Sequence, residues 1–307
     1  MKKALITGIT GQDGSYLSEL LLEKGYQVIG LVSQKYNIGW QNVEHIKHKL
    51  TLEDGDLLDV ASLERVIKQY QPEEIYNLAG LTFIPASWDQ PTLTLDINTL
   101  GVSRILEAVK QHSPLSRFYQ ASSAKMVNDP KDPYSISKSA AHMLVKAFRE
   151  HFDVFACSGI MFNHESERRG PEFVTRKITQ GAVKIKLGLE KNLSLGNLEA
   201  KQDWGYAPDY VEAMWLMLQQ HKPDDYTIAS GQLHSVRDIC DIAFSHLGLN
   251  YQDFVTIDQA FFRPAESNPP VGDATKAQQK LGWQPKTSFK DMIINMVSHD
   301  LKEFKNG

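Results

Sequence analysis

The 307-residue chain is expected to be an α/β protein, a doubly wound parallel sheet with a smaller α/β C-terminal lobe. Three observations predict this. Short apolar runs rich in Ile, Val and Leu alternate with amphipathic stretches through the first half. A glycine-spaced turn, TGITGQDG, lies between the first apolar run and the first amphipathic stretch. After Asn163 the alternation gives way to a polar, basic segment and then to shorter elements.

The elements follow in order. ALITGIT reads as a buried first strand. GSYLSELLLEKG repeats its apolar residues at helical spacing and ends on Gly25, a typical helix stop. YQVIGLV is a second strand, LTLEDGDLLD contains a third, ASLERVIKQY is a helix and EEIYNLAG a fourth strand. A long helix is predicted from about Thr92 to Gln111. RFYQASS is a fifth strand, Tyr134 to His151 a helix, and VFACSGIMF a sixth strand. This alternation implies a Rossmann-type sheet over residues 1–163, with later segments returning to it. Residues 164–307 are expected to form mainly a second lobe: NHESERRGPEF as loop, VTRKITQGAVKIKLG as helix, then short strands and helices. No Pro/Gly/Ser-rich linker separates the halves, so two lobes with a cleft between them are expected.

Bulk properties exclude several functions. The composition, 42% hydrophobic and 23% charged, is that of a soluble globular protein. A net charge of −4 argues against nucleic-acid binding, which usually needs a basic excess. No apolar run approaches the roughly 18 residues of a membrane span. MKKALITG is too short in its apolar part for a leader and reads as the first strand, so the cytoplasm is the expected location. The two cysteines, Cys157 and Cys240, have no paired spacing; Cys157, within FACSGIMF, reads as a buried thiol. No zinc pattern is visible, and no metal is expected.

Gly8, Gly11 and Gly14 fall between a strand and a helix, where glycines let the backbone approach a pyrophosphate at the helix N-terminus. Thr10, Gln12 and Asp13 occupy the same turn and are counted with it as cofactor-binding. Asp56, with Leu57 beside it, lies just past the third strand; it either accepts from an adenine amino group or is an ordinary turn aspartate. Leu78, Ala79 and Gly80 close the fourth strand, where small residues allow a cofactor ribose to approach. All three segments lie at carboxyl ends of strands, the usual ligand crevice of such sheets. Lys35 follows the second strand, where it either meets a 2′-phosphate or is a solvated loop lysine, so NAD and NADP both stay open.

Tyr134 and Lys138 are one helical turn apart and share a face. A nearby ammonium favours the phenolate, making tyrosine a usable base toward a sugar hydroxyl. Ser123, at the end of the preceding strand, can hydrogen-bond the same hydroxyl. Lys125 lies close by and is either part of this chemistry or a surface lysine.

With these residues in view, the chain resembles the extended short-chain dehydrogenase/reductases that act on nucleotide sugars. Within them it is most similar to the GDP-mannose 4,6-dehydratase family. The matching segments include ALITGITGQDGSYL, EIYNLAG, FNHESERRGPEFVTRKI, LSLGNLEAKQDWGYAPDYVEAMWLML, HSVRDI and RPAE. The resemblance implies a tightly bound, recycled NADP or NAD. It implies hydride removal at sugar C4, loss of water across C5 and C6, and hydride return to C6. Tyr134 and Lys138 match the family's pair, and Ser123 stands for its threonine. Lys125 stands where the family carries the glutamate that works at C5 and C6. An inverting branch of dehydratases uses a lysine there after an aspartate, but here Ala124 precedes it. The loop from SSAK to Tyr134 is also shorter than in the dehydratases.

Arg168, Arg169 and Arg176 supply cations for a diphosphate. By resemblance Asn163 and Lys177 line the substrate channel, and Arg263 and Glu266 hold the diphosphate and nucleoside. Gln202 replaces a family arginine, so the preferred base or sugar can have shifted, although a GDP-hexose is favoured. The alternatives are an epimerase or 4-keto reductase, or a non-catalytic nucleotide-sugar and NAD(P)-binding protein. The short loop after the second strand lacks the family's arginines, which favours a homodimer over a homotetramer.

Overall fold

Seven short, mostly apolar segments build the main sheet of the computed structural model, which describes residues 1–35, 39–127, 130–261 and 268–306. In chain order the strands are β1 (Lys3–Thr7), β2 (Gln27–Val32), β3 (Thr51–Asp54), β4 (Glu74–Asn77), β5 (Arg117–Ser123), β6 (Ala156–Met161), β7 (Asn163–Glu165), β8 (Leu193–Leu195), β9 (Lys201–Tyr206), β10 (Tyr226–Ile228), β11 (Leu233–Ser235) and β12 (Val255–Ile257). The helices are α1 (Gln12–Glu23), α2 (Val60–Tyr70), α3 (Ile84–Asp89), α4 (Pro91–Leu95), α5 (Gly101–His112), α6 (Pro133–Phe152), α7 (Val174–Lys186), α8 (Ala207–Leu218), α9 (Val236–His246), α10 (Thr275–Leu281) and α11 (Phe289–Asn306). The main sheet has the order β10-β6-β5-β4-β1-β2-β3. Every pairing in it is parallel.

Two compact units divide the chain. One comprises Met1–Met161, Val211–Ile228 and Thr275–Trp283; the other comprises Phe162–Tyr210, Ala229–Ala274 and Gln284–Gly307. In the first unit β1 is flanked on both sides and four of its five residues are buried, which explains its unbroken apolar run. Leu63, Val66 and Ile67 of α2 meet Ile105, Leu106 and Val109 of α5 over this sheet. Each such aliphatic side chain contributes about 1.5–3 kcal/mol by leaving water. The seventh strand, β10, comes from beyond the six read in the first half and pairs with β6.

Two segments differ in detail from expectation. The predicted long helix runs as α4, a π-helical turn over Asp96–Leu100, and α5. The segment NHESERRGPEF is not all loop, because its first three residues form β7 and pair with β9. Glu165 fits inside that strand because its carboxylate accepts from Thr175 Oγ1 at 2.5 Å and lies 3.3 Å from Arg169. Polar composition was a poor guide there because the partners that satisfy the glutamate lie on later turns of chain.

The second unit has its own core, in which Ile178, Ala182 and Val183 of α7 pack with Ile239, Ala243 and Phe244 of α9 and Met292, Ile293 and Met296 of α11. Cys157 and Cys240 are both buried, and burial pushes each thiol up to about 12. Among the described residues no helix is long and apolar enough to cross a membrane, and no cluster of His, Cys, Asp or Glu could hold a metal ion.

Candidate active site

The glycine turn is held by steric necessity. Gly8 has a φ of +70°, a left-handed conformation that favours glycine, and a Cβ there would lie 2.8 Å from the Ala79 nitrogen. A Cβ on Gly14 would lie 2.3 Å from the Gly8 carbonyl oxygen. Gly11 N–H donates to Gly8 at 3.0 Å and Gly11 is the N-cap of α1. This is a backbone cradle with no room for a side chain at Gly8 or Gly14, opening a helix, and it fits a dinucleotide pyrophosphate. Thr10 and Gln12 are buried in the turn; the Thr10 carbonyl accepts from Asn42 Nδ2 at 3.0 Å. Gln12 Nε2 donates to Asp13 at 3.1 Å.

A ladder of polar side chains links this cradle to Lys138. Thr7 Oγ1 donates to Asn77 Oδ1 at 2.6 Å and accepts from the backbone N–H groups of Leu78 and Ala79. Asn77 Nδ2 donates to Gln120 Oε1 at 2.8 Å, and Gln120 Nε2 donates to the Ala121 carbonyl at 3.0 Å. Lys138 Nζ donates to that same carbonyl at 2.9 Å. The carboxyl ends of β1, β4 and β5 are therefore braced against α6 by one connected network.

Tyr134 and Lys138 owe their placement to the first turn of α6. Asp132 is its N-cap and accepts from Ser135 N–H at 2.9 Å, while Ser135 Oγ accepts from Asp132 N–H, a capping box. Pro133 occupies the first helical position, where its fixed φ suits the helix. A cap of this kind contributes about 1 kcal/mol. Tyr134 and Lys138 are both buried, and Lys138 Nζ lies 5.8 Å from the centre of the Tyr134 ring. Burial lowers the Lys138 ammonium to about 8, and Asp13 opposes that shift. Ser123 ends β5, and its Oγ accepts from the Lys125 N–H at 3.2 Å. Lys125 is half-buried in the short turn Ala124–Met126 that follows.

The other cofactor candidates sort by how they are used. Asp56 Oδ2 accepts from Ser33 Oγ at 2.6 Å and Oδ1 from Leu58 N–H at 2.9 Å, so the aspartate shapes its own turn. Leu57 points its side chain into the core. Lys35 lines a cavity of about 500 Å³ at the ends of β2 and β3. A Cβ on Gly80 would come within 2.8 Å of Asn98 Oδ1.

Asn98 was missed from sequence. It is buried in the π-helical turn, accepts from Leu81 N–H at 2.9 Å, and donates to the Leu81 carbonyl and to Ser137 Oγ. Ser137 in turn donates to the Tyr134 carbonyl at 2.7 Å. Asn98 thus ties the loop after β4 to the relay helix. The available signal was an amide inside an apolar helical run, LDINTLGV, where a buried amide needs partners.

The substrate candidates lie in the second unit. Asn163 opens β7 opposite Trp204. Arg168 N–H donates to Ser166 Oγ at 3.1 Å, and Lys177 Nζ sits 4.0 Å over the Phe261 ring. Arg176 departs from the expected diphosphate role. It is buried and bound to Asp300 at 2.5 Å, so its charge is committed to joining α7 to α11. Arg263 and Glu266 lie outside the described residues.

A family model for GDP-mannose 4,6 dehydratase matches residues 5–296. GDP-mannose 4,6 dehydratase 2 of Arabidopsis thaliana is 47% identical, the match covering 98% of this chain and 87% of the relative. The Homo sapiens GDP-mannose 4,6 dehydratase is 42% identical over 97% of this chain and 91% of its own length. Among solved structures, dTDP-glucose 4,6-dehydratase of Bacillus anthracis superposes with a TM-score of 0.86 at 20% identity, covering 100% of this chain and 98% of that one. UDP-glucose 4-epimerase of Thermotoga maritima gives 0.85 at 21% identity over 98% and 99%. At such identities these two likenesses establish the fold.

Proposed function

Because the chain belongs to the GDP-mannose 4,6-dehydratase family, we propose that it dehydrates a GDP-activated hexose, GDP-mannose foremost, to the 4-keto-6-deoxy sugar. The observation that carries the reading is the capped first turn of α6, which holds Tyr134 and Lys138 beside the end of β5 in a chain matching the family from residue 5 to 296. When bound, a nicotinamide cofactor supplies hydride acceptance at C4 and hydride return at C6. The backbone of Gly8, Gly11 and Gly14 would hold its pyrophosphate.

In this reading Tyr134 takes the proton of the C4 hydroxyl, and the Lys138 ammonium supports the phenolate. Ser123 hydrogen-bonds the same hydroxyl and orients it. Once C4 is a ketone, the C5 proton is acidic. Lys125 removes that proton and passes it to the departing C6 hydroxyl, which leaves as water. Asn163 and Lys177 would line the substrate channel, Arg168 would meet the diphosphate, and Arg263 and Glu266 would hold the diphosphate and nucleoside. The chain would act in the cytoplasm.

The test is proton NMR in D₂O of GDP-mannose with the protein and either NAD⁺ or NADP⁺, beside a Lys125→Ala variant. The expected product is a 4-keto-6-deoxy sugar carrying deuterium at C5, with turnover lower by about 10²-fold or more in the variant. Intact GDP-mannose under every cofactor condition would sink the dehydratase reading. It would leave the epimerase, the reductase (which consumes NADPH with a 4-keto sugar) and the non-catalytic binder.

A homodimer is part of the same reading. Ile136 and Met143 of α6, seven residues apart, are 45% and 67% exposed, and Leu100 in the neighbouring π-helical turn is 50% exposed. An exposed apolar face of this kind suits a second copy. Light scattering is expected to show a dimer that Met143→Glu shifts toward monomer; a monomeric wild-type chain would refute it.

A further inference from the structure

We infer that this chain reads the 2′-hydroxyl of NAD(H) in preference to the 2′-phosphate of NADP(H), through an acidic rim at the carboxyl ends of β2 and β3. The inference rests on the proposed reading of the glycine turn as a dinucleotide cradle. In a doubly wound sheet, a dinucleotide held at the turn after β1 brings its adenine ribose to the end of β2. Here that place is the cavity of about 500 Å³ lined by Ser33, Gln34, Lys35, Asp54, Asp56 and Arg65, among others.

The charges at this cavity are the deciding feature. Its described lining contains two cations, Lys35 and Arg65, and three carboxylates, from Asp54, Asp56 and Asp59. Arg65 is already committed. Its guanidinium donates to Glu53 Oε2 at 2.7 Å and to the Asp54 carbonyl at 2.6 Å. Glu53 is held for this purpose by Tyr70, whose hydroxyl donates to its other oxygen at 2.5 Å. Gln34 Nε2 donates to Asp54 Oδ2 at 3.1 Å, and the Ser33 hydroxyl donates to Asp56 Oδ2. Both side chains following β2 are therefore drawn toward carboxylates of the β3 side.

A ribose 2′-hydroxyl suits such a rim, because it can donate to a carboxylate and accept from an amide. A 2′-phosphate brings nearly two negative charges and only acceptor oxygens. It would face three carboxylates with Lys35 and an arginine already paired with Glu53. Like charges at this range repel, and partly screened repulsion of this size is expected to weaken NADP⁺ by about tenfold or more relative to NAD⁺.

The experiment is mass spectrometry of any dinucleotide released from fresh protein, followed by calorimetric titration of the full chain, stripped of that dinucleotide and refolding-checked by circular dichroism, with NAD⁺ and with NADP⁺. NAD⁺ is expected to bind about tenfold more tightly or better, and to be the dinucleotide released. Glu53→Gln frees Arg65 and is expected to tighten NADP⁺ about fivefold while NAD⁺ stays within about twofold. Asp54→Asn serves the same end if the first variant does not fold. NADP⁺ binding as tight as NAD⁺, or tighter, would overturn this inference and leave the dehydratase reading standing. Failure of both dinucleotides to bind would overturn this inference and the cofactor reading beneath it.

Discussion

Tyr134→Phe is expected to lower kcat by about 10²- to 10⁴-fold, the usual worth of a positioned proton-transfer group. Dinucleotide affinity should stay within about threefold, because the ring and its packing remain and a single hydrogen bond is lost. The two readouts separate a chemical role from a structural one. The wild-type pH profile carries the same mechanism. Lys138 is buried and its ammonium is lowered to about 8, with Asp13 opposing the shift. Below that pH the lysine is charged and favours the phenolate; as pH rises through about 8 the charge is lost. Any rate contribution from the ammonium should therefore decline on the alkaline side, and Lys138→Met should remove that limb along with most of the activity. A Tyr134→Phe protein with near-normal turnover would refute the assignment of the base.

Gly14→Ala is the second large effect. The added Cβ would meet the Gly8 carbonyl oxygen at 2.3 Å and the Ile9 Cα at 2.6 Å. Both obstacles are backbone, so no side-chain rotation relieves them. The turn must open, at a cost of about 1–3 kcal/mol. The same opening moves the N–H groups that would meet a pyrophosphate, so dinucleotide binding should fall by at least about 10²-fold. Gly25→Ala makes the contrast. Gly25 also has a left-handed φ, +78°, but a Cβ there meets nothing within 4 Å. Its variant should lose about 1–2 kcal/mol of stability through backbone strain and keep its dinucleotide affinity. Thermal denaturation and calorimetric titration of both variants decide the matter; equal losses of binding would show that the turn's contact geometry is not what matters.

The site was legible where chemistry depends on short spacings. Gly8, Gly11 and Gly14 need only one strand-to-helix turn to act together, and Tyr134 and Lys138 need only one turn of helix. DPYS, the start of α6, even contains its own stop and start signal in Pro133 and the Asp132 cap. Asp56 was readable as a turn residue or an adenine partner. In the structure its carboxylate accepts from Ser33 Oγ and from Leu58 N–H, the second a bond within the turn.

What the sequence by itself determined is the strand-and-helix alternation of the first unit, the glycine turn, the shared helix face of Tyr134 and Lys138, and the family. These are properties of neighbours along the chain, where apolar period and glycine placement leave few options. Tertiary structure alone decided which polar groups were already spoken for. Arg176 looked like a phosphate ligand until Asp300, 124 residues away, was found to hold it. Arg65 lost its availability to Glu53 across the gap between a helix and a strand. Asn98 became a clamp only because Leu81 and Ser137 converge on it, and β7 became a strand only because β9 lies alongside. The physical reason is common to all four. The partner of a polar group is chosen by proximity in space, which residue type and local spacing do not encode, and for the buried groups among them a partner is obligatory.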